Sequence, residues 1–392
     1  DTNCLGESMP KWWKSESKAS KLPSTTDLSS SVALLSSPST VTPTKDAPVT
    51  ISPARPSQAA TPQVEARQAP SNAVGRSGQP SVHTAPYVGL DFGTSTTLLA
   101  KSRGVGGTEV IPIGRSTAWL PSVVGYRSGG GQPVLGEDAE VLPAAQVKRS
   151  IKRAITFGEE MARFHLPDGV LERPADEVAS QVVSEALRRA DWDLLKGQVA
   201  GVRAGCPAMW DAQQRGRLRG ILANAGLHVE PDEIIDEPIA AAVAWVNYRR
   251  QAFGERVEGR LVVFDYGGGT LDIAVCEVAW ELDLPEITVL SCLGIPVAGD
   301  SLDDRLHALV REQLVNDSRF EGSVQQEAAV LREVRGAKEA LSSTLDVRLE
   351  LAPYGLGSLQ LSRAELEREF RPQLGDALRY VTAALRAARL RE

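Results

Sequence analysis

Two aspartate-led turns carry the most specific chemistry in this chain. VGLDFGTSTTLLA (residues 88–100) and LVVFDYGGGTLDIAVCEV (residues 261–278) share one pattern: an apolar stretch, Asp-x-Gly, a Gly/Thr/Ser turn, and a second apolar stretch. The pattern predicts a strand, a tight turn and a returning strand. Without side chains, the glycines let backbone N–H groups close on an anion, and the hydroxyls add donors. An aspartate ending each buried strand is placed to hold Mg²⁺ at the phosphates, directly or through water. A single Asp-Gly-Thr cluster is ordinary hairpin chemistry. Two copies, with Asp91 and Asp265 174 positions apart, predict two similar lobes facing one nucleotide.

The stretches between the turns alternate between strand and helix patterns. Residues 108–113 and 120–127 predict strands, and the charges of VKRSIKRAITFG (residues 147–158) fit a solvated helix face. A helix over 176–196 has Val178, Val182, Leu187, Ala190 and Leu194 along one side. The strand QVAGVRAGCP stops at Pro207, and Asp211 suits the N-cap of a helix ending at Gly226. IIDEPIAAAVAWV sets an acidic pair before Pro238, a residue at home in a first helical turn, and Glu237 alone would compensate the helix dipole. Beyond the second turn come a strand over 286–293 and a helix burying Leu302, Leu306, Leu309 and Leu314. A helix over 324–341 and a strand over 346–351 follow, then a helix capped by Ser362 with Glu365 as its capping-box partner. Leu374, Leu378, Val381 and Leu385 line one side of the last helix. Alternating strands and helices make this an α/β protein.

Composition separates a tail from a body. No aromatic residue occurs between Trp13 and Tyr87, and residues 29–63 are mostly Ser, Thr, Pro and Ala. Such a stretch buries too little apolar area to offset its ordering entropy, so residues 1–86 are expected to be disordered, as a spacer or as a phosphorylated or partner-binding tail. The tail holds 8 basic and 6 acidic residues, and the body 35 against 44. An acidic body carries no footprint for nucleic acid. No secretory signal is visible, and no apolar run approaches the ~20 residues that cross a bilayer. Cys4, Cys206, Cys276 and Cys292 lack metal-like spacing and fit small core residues of a reducing compartment. The four histidines are scattered.

The order of the motifs resembles the 70-kilodalton heat-shock chaperone family of the actin-like ATPase superfamily. DFGTST, VKRSIKR, GCPAMWDAQQRGRLRGILANAGL, IIDEPIAAAVAW, FDYGGGTLDIAV, AGDSLDDR and AKEALSST occur in that family's order, from Tyr87 to the end of the sequence. The resemblance implies an actin-like (ribonuclease-H-like) two-lobed ATPase with a duplicated core, lobe I over 87–250 and lobe II over 251–392. It implies ATP/ADP and Mg²⁺ as ligands and slow hydrolysis in the cytoplasm. Asp91, Glu237 and Asp265 would organise the metal through water, and Lys148 would position the attacking water and γ-phosphate. Gly93, Thr94, Ser95, Gly267, Gly268, Gly269 and Thr270 would wrap the phosphates. Gly299, Lys338 and Ser342 would complete the nucleotide site, and Pro207 and Arg215 would relay nucleotide state. Such positioning and electrostatics are what phosphoryl transfer to water requires.

Co-chaperone and nucleotide-exchange partners are implied as well. A client peptide is implied only with a peptide-binding domain beyond residue 392, and neither nucleic acid nor membrane is expected. Arg335 stands where the family usually has an acid, and Glu339 where it usually has a cation that stacks on adenine. The later Gly-Gly-x-x-Arg adenosine motif is expected beyond Glu392. A non-hydrolysing nucleotide sensor or scaffold of the same fold is the alternative that these departures motivate. A filament-forming or sugar-kinase relative is another, although no segment suggests a sugar kinase's catalytic aspartate. A protein-kinase reading of Asp91-Phe92-Gly93 fails, because no His-Arg-Asp loop or β3-type lysine precedes it.

Overall fold

The computed structural model describes residues 85–103, 107–281 and 284–389. The expected disordered tail lies outside these residues except for its last two positions. The first turn is where β1 (Tyr87–Phe92) folds back antiparallel into β2 (Thr96–Arg103), followed by β3 (Gly107–Ile111). The strand expected over 120–127 divides into β4 (Leu120–Pro121), paired with β2, and β5 (Val124–Gly125). β5 lies between β6 (Val134–Leu135) and β7 (Val147–Lys148) in a small sheet, with the short helix α1 (Glu137–Glu140) in the connection. After α2 (Arg153–Phe157) comes a hairpin, β8 (Met161–Leu166) and β9 (Gly169–Pro174), that is absent from the sequence-based expectation.

The helix expected over 176–196 is two helices, α3 (Ala175–Arg189) and α4 (Trp192–Leu195). Asp191 between them takes a left-handed φ of 50°, which a continuous helix does not admit. β10 (Gly201–Cys206) then pairs parallel to β1. α5 (Ala212–Asn224) starts at the expected cap, with Asp211 and Gln214 forming a reciprocal capping box. β11 (Ile234–Asp236) completes the sheet order β11-β10-β1-β2-β3. Strand alternation decides the faces here. Val88, Leu90 and Phe92 join the core with α3 and α5, which leaves Asp91 on the opposite face.

α6 (Glu237–Phe253) follows β11 directly, with Pro238 in its first turn. A three-stranded meander comes next: β12 (Gly259–Tyr266), β13 (Leu271–Glu281) and β14 (Leu284–Ile295). Leu261 and Val263 of β12 pack towards Ala242 of α6, so Asp265, two residues on, shares that face. The chain then forms α7 (Gly299–Leu314), α8 (Val324–Ala340), the hairpin β15 (Asp346–Leu349) and β16 (Leu359–Ser362), and α9 (Arg363–Ala387). Leu302, Leu306 and Leu314 are buried against α8 and the hairpin as expected, with Leu309 partly so.

Along α9, Val381 and Leu385 pack on β13 and β14, but Leu374 and Leu378 are exposed. Only part of that expected apolar side is covered among the described residues. Cys206 and Cys276 are buried, Cys292 is half-buried, and all three are free thiols. Among the described residues no helix is long and apolar enough to cross a membrane.

Candidate functional site

The two turns meet. Gly93 donates to Thr96 O at 2.9 Å and Gly267 to Thr270 O at 3.0 Å, so each turn closes on itself in the same way. A Cβ on Gly93 would strike that Thr96 carbonyl at 2.4 Å. A Cβ on Gly268 would lie 2.6 Å from Ser95 Oγ, and one on Gly269 would lie 2.8 Å from Thr94 Oγ1. A side chain at either glycine would have to displace a hydroxyl of the first turn, so glycine is what lets the second turn approach it this closely. The start of α7 ties onto this junction: Gly299 N–H donates to Gly267 O at 3.1 Å, and Asp300 N–H to Gly268 O at 2.7 Å.

A cavity of about 620 Å³ opens beside the junction. Its wall includes Asp91, Thr94 and Ser95 from the first turn and Asp265, Gly268 and Thr270 from the second. Lys152 and Glu237 complete the polar end. The Lys152 side chain is only 4% exposed, and its ammonium donates to Glu237 Oε1 in a short contact. The ring of Trp210 lies 5.5 Å from the same nitrogen. Burial works against the lysine's charge, but Glu237 and Asp91 outweigh it and its pKa is raised.

The carboxylates feel the opposite pressure. Burial is the main cause that lifts Asp265 to about 6, and repulsion from Glu237 and Asp91 adds to it. Asp91 is raised by burial as well, against the pull of Lys152. Asp272, at register with Asp265 on the neighbouring strand, is lifted to about 7, again mainly by burial. Its Oδ1 accepts the Ala208 N–H at 2.7 Å, which connects the second turn to the segment after Pro207. One ammonium against the three carboxylates of the wall, with Asp272 also acting on it, leaves the end of the cavity short of positive charge.

Lys148, expected from the sequence at this point, lies elsewhere. It is on β7, a third exposed, with its ammonium 3.9 Å from Glu159, and it does not line the cavity. Lys152 takes the position instead. Pairing of β7 with β5 orients Lys148 away, Ser150 turns the chain through a left-handed φ of 56°, and the buried Ile151 carries Lys152 inward. The sequence holds two Lys-Arg pairs four residues apart, Lys148-Arg149 and Lys152-Arg153. Each pair follows an apolar residue, Val147 or Ile151, so the sequence alone carries no signal that separates them. The expectation of a solvated face is corrected at Lys152.

The remaining expected residues divide. Lys338 lines a second cavity of about 290 Å³ with Arg335 and Glu339, on the other side of Thr94, Ser95 and Gly268. Its ammonium lies 2.7 Å from Asp303, which also receives Arg335 at 3.3 Å. Ser342 is exposed just after α8 and lines neither cavity. Arg215 pairs with Asp236, the residue before Glu237, and donates to Trp210 O at 3.0 Å. Pro207 is buried one residue before the Ala208 amide that Asp272 holds.

Fold and site together define an α/β protein whose two glycine turns, each led by an aspartate, meet at the polar end of one cleft. A family model described as Hsp70 protein matches residues 171–392, more than half of the chain. The chain belongs to the Hsp70 family. It is 29% identical over 339 residues to a chaperone protein HscA homolog of Neisseria meningitidis, covering 79% of this chain and 52% of the relative. It is 30% identical over 323 residues to the HscA homolog of Variovorax paradoxus, covering 78% and 50%. The homolog of Pseudomonas aeruginosa is likewise 30% identical over 322 residues, covering 76% and 48%. The chain thus spans about half the length of the curated relatives it matches.

Proposed function

We propose that this chain is the ATP-binding and slowly hydrolysing module of an Hsp70-type chaperone, with an actin-like two-lobed core. Lobe I would span residues 87–250 and lobe II residues 251–392. The observation that carries the reading is the meeting of the two glycine turns over the Lys152–Glu237 pair. Gly93, Thr94, Ser95, Gly267, Gly268, Gly269 and Thr270 supply backbone and hydroxyl donors to the phosphates, and Gly299 braces the second turn. Lys338 serves the nucleoside end from the second cavity.

The donor set suits magnesium. Asp91, Glu237 and Asp265 offer only hard oxygen ligands, and among the described residues no three acidic, His or Cys side chains lie close enough to hold an ion directly. They would hold a hydrated Mg²⁺, which neutralises phosphate charge when bound. Lys152 supplies a fixed positive charge to the transferring phosphate, and Glu237 orients that ammonium. Asp265, with its raised pKa, is suited to accept a proton from an attacking water.

Pro207 and Arg215 link this cleft to neighbouring segments, which supports a role in relaying its state. Co-chaperone, nucleotide-exchange and client-peptide partners belong to this proposal as properties of the longer protein type. The free thiols fit work in a reducing, cytoplasmic setting. Titration with Mg·ATP followed by single-turnover hydrolysis is the test. Binding with turnover that falls in Asp265→Asn supports the reading. Binding without turnover favours a nucleotide sensor, and no binding refutes both.

A further inference from the structure

Lys152 is followed by a second cation with a different setting. The Arg153 stem lies over the second glycine turn, its Cγ 3.4 Å from where a Gly269 Cβ would stand. Its guanidinium reaches Asp300 Oδ2 at 3.5 Å and Asp304 Oδ2 at 3.8 Å. Both distances are long against the roughly 2.7–2.9 Å of a close charge-assisted pair. The group is held between two carboxylates and seated firmly on neither. The Phe157 ring, 5.3 Å from Cζ, flanks it. Asp300 is itself fastened to the glycine turn, through its N–H to Gly268 O.

We propose that Arg153 is a phosphate-sensing positioning residue, exchanging Asp300 for the terminal phosphate of a bound nucleoside triphosphate. The proposal rests on the nucleotide-binding reading above. An anion seated on Gly268 and Gly269 would lie beside the arginine stem, and rotation about the flexible side chain would turn the planar fork towards it. A guanidinium suits phosphate oxygens better than a long contact to a single carboxylate oxygen does. Arg153 is the chain neighbour of Lys152, which lines the cleft with Asp91 and Asp265, while its partner Asp300 lines the second cavity, so the arginine stands between the two. A diphosphate lacks the terminal group and leaves the Asp300 pair in place. Arg153 thereby distinguishes triphosphate from diphosphate, and Asp300 acts as the competing anion that holds the arginine between turnovers.

Calorimetric titration of the protein with Mg·ATP and Mg·ADP tests this, using wild type, Arg153→Ala, Arg153→Lys and Asp300→Asn. Arg153→Ala is expected to weaken Mg·ATP about tenfold, the loss of one charge-assisted contact. Mg·ADP should stay within about twofold, because in that complex Arg153 remains on Asp300 and contacts no phosphate. Arg153→Lys should fall between the two, and Asp300→Asn should tighten Mg·ATP. Equal weakening of both nucleotides in Arg153→Ala, or weaker Mg·ATP binding in Asp300→Asn, overturns the exchange and leaves nucleotide binding standing. Absence of binding in the wild type overturns both.

Discussion

Exchanging Lys152 separates the two candidate lysines most directly. The Lys152 and Glu237 side chains are 4% and 19% exposed, so Lys152→Met strands Glu237 among Asp91, Asp265 and Asp272 with little water to compensate. Removing one partner of a buried pair costs about 3–5 kcal/mol. Glu237 retains some access to the cavity, which places the expected loss near the lower end, at about 3 kcal/mol. Lys152→Met with Glu237→Gln should recover much of that loss, because no unpaired charge remains. Lys148→Ala removes an exposed contact and should cost about 0–1 kcal/mol.

Turnover should follow the same division: a fall of about 10²–10³-fold for Lys152→Met, typical of losing one preorganised electrostatic group, and little change for Lys148→Ala. Guanidinium unfolding and single-turnover hydrolysis on the same preparations supply both quantities. Wild-type stability and turnover in Lys152→Met, with loss in Lys148→Ala, would refute the placement of the site on Lys152.

Other consequences are open to test. Asp265 and Asp272 titrate near 6 and 7 in the folded chain, against an ordinary value of 3.8. The folded state therefore binds more protons than the unfolded state between about pH 4 and 7, and these two groups lower stability as pH rises through that window. Metal-free thermal melts should show this fall, and Asp272→Asn should flatten it; a slope unchanged in that variant contradicts the assignment. Gly294→Ala would place a methyl 2.4 Å from Asp272 Oδ1 and 2.9 Å from the Met209 backbone nitrogen. Such overpacking should cost about 1–3 kcal/mol and loosen the 207–209 segment, visible as faster amide exchange there. Ser362→Ala removes one side of the α9 capping box and should cost about 1 kcal/mol by denaturant titration.

Local signals in the chain were sufficient wherever the physics is local. Asp211 with Gln214 and Ser362 with Glu365 cap their helices through contacts three residues apart, so the helix starts were readable from residue type and spacing. The two Asp-x-Gly turns likewise follow from glycine's freedom and from apolar runs that end in a polar residue. Strand alternation put Asp91 opposite the core face of β1 and Asp265 on the face of β12 that packs on α6, and it too is written in the sequence. The break at Asp191 was less legible, because the apolar spacing of α3 continues past it while the backbone does not.

Tertiary structure alone decided that Lys152 lines the cavity and Lys148 does not. Both follow an apolar residue and precede an arginine, and the choice depends on β7 pairing with β5 and on Ile151 finding the core. It also decided that Gly268 and Gly269 press on Thr94 and Ser95, that Asp272 holds the Ala208 amide, and that Ser342 stays outside both cavities. Each of these is a contact between segments far apart in the chain. Periodicity reports which face of an element is buried, and packing between elements determines what that face meets.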